Sequence, residues 1–335
     1  MKEADWHRIW SRRGPWACLL WPVSMVYRCV LGARRLLYRL GWLTSTRLPV
    51  PVLVVGNVMV GGAGKTPITI ALVQKLGQMG WRVGVISRGH RRQAQEAMLV
   101  QVHSLPSQVG DEPLLIHRKT QVPVAVCGRR VEAARLLLQA HPQVNLIISD
   151  DGMQHMALAP DLVWCVLDPR RLGNGWVLPA GPLREPWPLR GQARPPTWLL
   201  STEHPPWPNA WPVSRHLSEL AVNGHGQSCR WLDLASPVAA LAAIAQPEVF
   251  FQSLRERGLT LSATLALPDH DGLQDWHPGE GLTWLCTEKD AVKLWSRHPQ
   301  VWAVPLCVDL PEALWTELNP FLQARLSSRH GSEIT

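Results

Sequence analysis

Three glycines, a lysine and a threonine crowd into Gly61-Gly62-Ala63-Gly64-Lys65-Thr66. Glycines let consecutive backbone N–H groups turn inward, and such a nest binds anionic oxygens. A lysine beside the nest can reach the β- and γ-phosphates of a nucleotide, and a threonine hydroxyl can ligate Mg²⁺. The candidate cradle therefore runs Met59, Val60, Gly61, Gly62, Ala63 and Gly64, followed by Lys65 and Thr66. The strict GxxxxGK[ST] spacing asks for glycine at Met59, so the match rests on GGAGKT itself. Val60 stands where partitioning-type ATPases carry a second lysine. The plain alternative is a glycine-rich turn beside a chance Lys-Thr pair.

Carboxylates form the second set. Asp150 and Asp151 follow the apolar run Val144–Ser149 directly. A hydrophobic strand ending in aspartate resembles a Walker B element, whose carboxylate anchors Mg²⁺ directly or through water. Two adjacent acids must each be paired or solvated, so at least one is read as metal-binding or catalytic. Val109-Gly110-Asp111-Glu112-Pro113 offers another pair, with a helix N-cap as the rival reading. Arg88, His90, Arg91 and Arg92 follow the run Trp81–Ser87. Cations at the carboxyl end of a strand suit an anionic substrate, and a solvated basic loop is the alternative.

A phosphate loop has to sit between a strand and a helix, and the flanks provide both. The β-branched run Leu48–Val55 reads as a buried parallel strand, and ITIALVQKLGQMG after the loop reads as a helix. Further strands are expected near 81–87, 121–127, 144–149 and 162–168. The Pro-rich stretch 186–213 reads as linker or edge around one short strand, Thr197–Ser201. A second lobe is expected to hold a helix at 247–257, strands near 259–266, 282–287 and 301–308, and a closing helix at 311–326. The fold class is thus α/β: a mainly parallel P-loop sheet flanked by helices, a smaller α/β lobe, and an N-terminal membrane-associated helix. The segments are 1–47, 48–220 and 221–335.

Charge is distributed unevenly. The formal net charge is +8, while residues 1–47 alone carry nine basic residues against two acids. This is a basic arm on a near-neutral body, so a uniformly basic nucleic-acid binder is excluded as the main reading. Pro15 to Tyr27 carries no charge, and Arg28, Arg34, Arg35 and Arg39 follow among leucines and tyrosine. As helix that uncharged run reaches about 20 Å, short of the roughly 30 Å hydrocarbon core. Tryptophan and tyrosine favour the headgroup layer and arginine favours anionic phosphates, so attachment to a membrane surface is expected. Packing on the protein's own body, or a signal peptide or full span, are the alternatives. Seven scattered cysteines without CxxC spacing argue against a disulfide framework or a zinc site.

Taken together, the segments resemble the tetraacyldisaccharide 4'-kinases, the lipid A 4'-kinases of Gram-negative bacteria. The resemblance rests on VPVLVVGNVMVGGAGKTP, VISRGHRR, VGDEP, DDGMQH, GNGWVLPAGPLREP, the Asp269-His270 pair and TEKDAVKL, in that order. It implies ATP- and Mg²⁺-dependent phosphorylation of the 4'-hydroxyl of a tetraacylated glucosamine disaccharide 1-phosphate at the cytoplasmic face of the inner membrane. Peripheral or single-helix attachment follows, with a glycolipid substrate, no nucleic acid and no obligate protein partner. It further implies Asp111 as catalytic base with His270 as its partner, and Lys65 and Thr66 on phosphate and Mg²⁺. Glu112, Asp150 and Asp151 would lie around the metal, and Arg88, His90, Gln154, His155, Arg184 and Glu185 near substrate and phosphate. His90 replaces the tyrosine expected after SRG, and Ala245 stands where glycine is common. Since Asp111 and His270 fall in different lobes, catalysis is expected to need closure of a cleft.

Two rivals belong to other classes. One is a membrane-associated P-loop ATPase or GTPase switch acting on a protein. A guanine-specific [NT]KxD would favour it, and Thr287-Glu288-Lys289-Asp290 fails that spacing. The other is a non-catalytic binder built on the arm. Deletion of residues 1–47 would abolish a binder's function and spare a kinase acting on a soluble short-chain acceptor.

Overall fold

The chain enters through two helices, α1 (Glu3–Ser11) and α2 (Pro15–Arg39), parted by Gly14. The computed structural model describes residues 3–90, 92, 94–167, 172–188, 195–204, 206–235 and 237–330. Arg91, residue 168 and, within the Pro-rich stretch, residues 189–194 and 205 lie outside them. Although Pro22 lies inside α2, the helix runs unbroken for 25 residues.

The large lobe follows in the order β1 (Val52–Gly56), α3 (Lys65–Gln78), β2 (Val83–Ser87), β3 (Met98–Leu99), α4 (Pro106–Val109), α5 (Asp111–Thr120), β4 (Val124–Val126), α6 (Arg130–Ala140), β5 (Leu146–Asp150), β6 (Leu162–Leu167), β7 (Thr197–Ser201) and β8 (Ala210–Pro212). Its eight strands lie in the order β3-β4-β2-β5-β1-β6-β7-β8. All pair in parallel except β3, which runs antiparallel on β4 at the edge. Strands β1, β2 and β5 are buried along their whole length, which is why they read as continuous apolar runs instead of alternating ones. Register places Val55 beside Asp150, so the phosphate loop and the acidic pair leave the sheet at the same end.

A two-stranded antiparallel ribbon of β9 (Ser214–Leu217) and β16 (Leu306–Asp309) joins the lobes. Between them come β10 (Leu220–Asn223), β11 (Ser228–Arg230), β12 (Val238–Ala242), α7 (Pro247–Glu256), β13 (Leu261–Ala266), β14 (Thr283–Thr287), α8 (Glu288–Leu294) and β15 (Trp302–Val304). These six strands form a second sheet in the order β11-β10-β15-β14-β12-β13. The strand expected at 301–308 is two strands, because Pro305 has no N–H to continue a ladder. Its first half serves the small lobe's sheet and its second half the ribbon.

The final helix, α9 (Glu312–His330), differs from expectation. Leu314, Trp315, Leu318 and Leu322 bury themselves in the core of the large sheet, not the small one. Trp315 packs 6.1 Å from the fully buried Trp164, and Arg329 donates to both oxygens of Asp161 at 2.7 Å. The chain thus returns to its first lobe.

Candidate active site

Gly64 caps α3 with φ 67, a left-handed conformation that only glycine adopts at low cost. The turn directs the free N–H groups of the α3 N-terminus toward the loop, as an anion requires. A Cβ on Gly64 would also collide with the guanidinium of Arg215, which donates to the Ala63 carbonyl at 2.7 Å. From the other lobe, Ala245 approaches Gly62 so closely that a Cβ there would stand 3.2 Å from its methyl group. The extra carbon at position 245 is therefore matched by the bare Gly62. Met59 pairs as an isolated bridge with Leu183, and Val60 N donates to the Pro182 carbonyl at 2.9 Å. The first half of the cradle is thus held by the LPAGPLREP segment.

Lys65 Nζ contacts Asn57 Oδ1 at 3.2 Å and Asp151 Oδ1 at 3.4 Å. Thr66 is buried at the first turn of α3. The two aspartates behave differently. Asp150 is fully buried and accepts from the Thr69 hydroxyl at 2.9 Å; burial, then the charges of Glu112 and Asp151, push its carboxyl up to about 7. Asp151, at φ 48, receives Arg184 on both oxygens at 2.8 and 3.0 Å. Burial alone would raise it, but Lys65, Arg184 and Arg130 together hold it below the usual carboxylate range.

Arg130 lies beneath the pair, almost fully buried, and directs Nη2 toward the Asp150 and Asp151 carbonyls at 3.5 and 3.4 Å. Desolvation lowers its pKa to about 10, still well above neutrality. His155 accepts the Arg130 backbone N–H on Nε2 at 3.2 Å. Burial and the charges of Arg130, Arg34 and Arg88 lower it to about 4, so it is neutral and fit to accept. Gln154 donates to the Asn57 carbonyl and to Glu185 Oε1, each at 3.0 Å.

The second cluster crosses between lobes. Gly110, at φ 92, presses on Gly89, where a Cβ would meet backbone at 3.1 Å. This close approach brings the ends of β2 and α4 together and starts α5 at Asp111. His270, at φ 62, sets Nδ1 3.4 Å from Asp111 Oδ2. Lys289 Nζ stands 3.1 Å from His270 Nε2 and 2.9 Å from Asp269. An ammonium can only donate, so Nε2 accepts and Nδ1 carries the proton toward Asp111. Burial would raise Asp111, but the His270 hydrogen bond and the nearby Lys293 and Lys289 outweigh it and hold the carboxyl below its ordinary value. The His90 ring meets His270 edge-on at 5.2 Å, so the replacement for the expected tyrosine touches the dyad.

Most of the sequence-derived residues therefore converge. Two of the carboxylates expected around the metal have cationic neighbours. Asp151 is engaged by Arg184 and Lys65, and Glu112 approaches Lys289 at 3.7 Å. Among the described residues no group of three His, Cys, Asp or Glu forms a protein-only metal cage. Arg88 is exposed at the rim, where its charge bears on Arg130 and His155. The sequence reading missed Asn57, Arg130, Arg215, Lys289 and Lys293 as site residues. Lys289 and Lys293 stand four apart on α8, one face of a helix, which was the available signal. Asp290 of that motif is fully buried and accepts from Ala243 N and the Thr287 hydroxyl, a structural role remote from base recognition.

Comparison with known proteins places the chain in a family. Residues 16–323 match the family described as tetraacyldisaccharide-1-P 4'-kinase. A "Tetraacyldisaccharide 4'-kinase" of Acidovorax sp. (strain JS42) is 49% identical over 326 residues, covering 96% of this chain and 95% of that protein. One of Delftia acidovorans is 46% identical over 321 residues, covering 94% of each. Among solved structures, LpxK from Aquifex aeolicus, crystallised in complex with ATP, superposes with a TM-score of 0.74 at 27% identity, covering 92% of this chain and 99% of that one. With the phosphate loop, the acidic strand end and the lobe-crossing Asp111–His270 pair all inside the matched span, this chain belongs to the tetraacyldisaccharide-1-P 4'-kinase family.

Proposed function

We propose that this chain transfers the γ-phosphoryl group of ATP to the 4'-hydroxyl of a tetraacylated glucosamine disaccharide 1-phosphate, forming lipid IV-A in lipid A biosynthesis. The observation that carries the reading is Asp111: a carboxylate kept ionised, contacted by His270 from the opposite lobe, beside a phosphate loop. Phosphoryl transfer needs alignment and charge neutralisation more than covalent help, with a base that accepts the hydroxyl proton. Asp111 Oδ2 faces His270 and Lys293, which leaves Oδ1 to take that proton from the sugar. Lys65 and the α3 N-terminus hold the terminal phosphates, while Arg184 and Asn57 fix the lysine's surroundings. Mg²⁺ fits the donor set: Asp150, raised to about 7 by burial and neighbouring acids, marks negative charge that a cation would offset. Thr66, Asp150 and Glu112 are the residues to hold it, with Asp151 nearby. The ion would supply charge neutralisation on the phosphate oxygens.

The acceptor's anionic, acylated character suits the cavity beside the site. About 620 Å³ opens between α2 and the loop after β5, with Tyr27, Leu31 and Met153 on its apolar walls and Arg34, Arg39 and Arg47 at its rim. Helix α2 is long and apolar enough to cross a membrane, and little of its apolar stretch is buried against the protein. We place the protein on the cytoplasmic face of the inner membrane, attached through α2, with acyl chains left in the bilayer.

Purified protein incubated with γ-labelled ATP, Mg²⁺ and the disaccharide 1-phosphate in detergent tests the reading by thin-layer chromatography. A labelled, more polar lipid is expected. Label released only as inorganic phosphate, stimulated by protein and not by glycolipid, would favour the switch ATPase instead.

A further inference from the structure

Helix α2 carries two faces with separate partners. Outward, Trp16, Leu19, Val23, Val26 and Val30 form a stripe at three- and four-residue spacing, each more than half exposed. Inward, polar groups reach into the segment that ends in Arg184 and Glu185. The Ser24 hydroxyl donates to the Val177 carbonyl and accepts from Ala180 N, both at 2.9 Å. The Tyr27 hydroxyl donates to the carbonyl of Arg184 at 2.9 Å. Two turns further on, Arg35 binds Glu185 Oε2 at 2.5 Å.

Glu185 is 4% exposed, and a carboxylate so buried depends on charged and hydrogen-bonded company. Its other oxygen accepts from Gln154 at 3.0 Å. The same amide nitrogen donates to the Asn57 carbonyl, and the Asn57 side chain accepts from Lys65. Gln154 Oε1 lies 3.4 Å from Arg184, which holds Asp151. An unbroken polar chain therefore runs from Arg35 on the arm through Glu185, Gln154 and Asn57 to Lys65.

We infer that Arg35 is a positioning residue for phosphoryl transfer, acting through Glu185 and Gln154 on Lys65, so that α2 is a working part of the site as well as an attachment. The inference rests on the kinase reading above. It reverses the expectation from sequence that loss of residues 1–47 spares a soluble acceptor: deletion removes the cation of a buried pair and lowers turnover without any membrane present.

The test uses the full chain, saturating ATP–Mg²⁺ and a short-chain disaccharide 1-phosphate kept monomeric in water. Arg35→Met should lower kcat about tenfold or more with KM for the acceptor within about threefold, because misplacement near a phosphoryl group is costly to rate. Its binding to vesicles of phosphatidylethanolamine and phosphatidylglycerol should match the parent. The outer-face triple variant Trp16→Glu, Leu19→Glu, Val23→Glu should do the reverse, losing the vesicles and keeping kcat within twofold. Arg35→Met combined with Glu185→Gln should cost less than the product of the two single effects, as expected for two members of one interaction. Should Arg35→Met fail to fold, Arg35→Lys carries the test with a fall of about threefold. Unchanged kcat in the folded Arg35 variant, or multiplicative effects in the double variant, overturns the inference. A parent protein that fails to phosphorylate the acceptor overturns the kinase reading instead.

Discussion

Asp150 and Asp151 are neighbours in sequence and opposites in electrostatics. One faces burial and like charge, and the other faces Lys65, Arg184 and Arg130. The positive φ at Asp151 separates them by turning the chain at the strand end. That difference could not be read from an Asp-Asp pair, because it depends on Arg184, more than thirty residues later. At the same scale, Asp111→Ala and His270→Ala should each lower kcat by about 10²- to 10⁴-fold, the range of a lost general base. Nucleotide binding, followed by equilibrium dialysis with labelled ATP, should survive in both; a near-normal kcat in both would remove Asp111 from its role. His155 gives a pH prediction. Its folded pKa, about 4, lies below the ordinary 6.5, so folding favours the neutral ring. The associated stability is full above pH 6.5 and is lost as pH falls from there toward 4. His155→Gln should therefore lose less stability over that interval in thermal melts, and parallel losses would contradict the assignment. The spacing of Lys289 and Lys293 marks one helix face, but not what that face meets, because Glu112 and Asp111, which they approach, lie in another lobe.

Among the elements, the strands with continuous apolar runs and the loop between β1 and α3 were legible, since burial on both faces and a glycine nest leave local signatures. Ribbon strand β9 was not, and β16 was legible only as the tail of a longer strand, because each is short, largely unburied and defined by its partner. The closing helix was legible as a helix and illegible in its destination. Which core receives Trp315 depends on Trp164 being there to meet it, and no periodicity carries that information. Trp315→Ala should cost about 3–5 kcal/mol in denaturant unfolding, the usual range for truncating a buried tryptophan. A change below 1 kcal/mol would mean that α9 is not part of the large lobe's core. The turn before α5 offers a second check. Gly110→Ala puts a methyl group 3.1 Å from Gly89 in a conformation that side chains avoid, at a strain of about 1–3 kcal/mol. Displacement of Asp111 should lower kcat along with stability, and a variant as active and stable as the parent would show that the contact is not required.

For the whole molecule, the lobes meet at Asp111, His270, Lys289 and Lys293, so the pair expected to require closure is already in contact. The ribbon and α9 tie the lobes from two directions, and α2 braces the large lobe along the LPAGPLREP segment. The arm's basic excess predicts that binding to anionic vesicles weakens as salt rises from about 0.05 to 0.5 M, over which the Debye length falls well below 10 Å. Salt-independent binding would mean that the apolar stripe acts alone. Above all of this stands the claim that a triphosphate rests on Gly61–Thr66 with its terminal group turned toward Asp111. A crystal structure with a non-hydrolysable ATP analogue and Mg²⁺ tests it most directly. The account predicts phosphate density against the backbone of Gly61 to Lys65, with the γ-phosphate on the Asp111 side. Density for the nucleotide anywhere else, with the glycine loop bare, would contradict it.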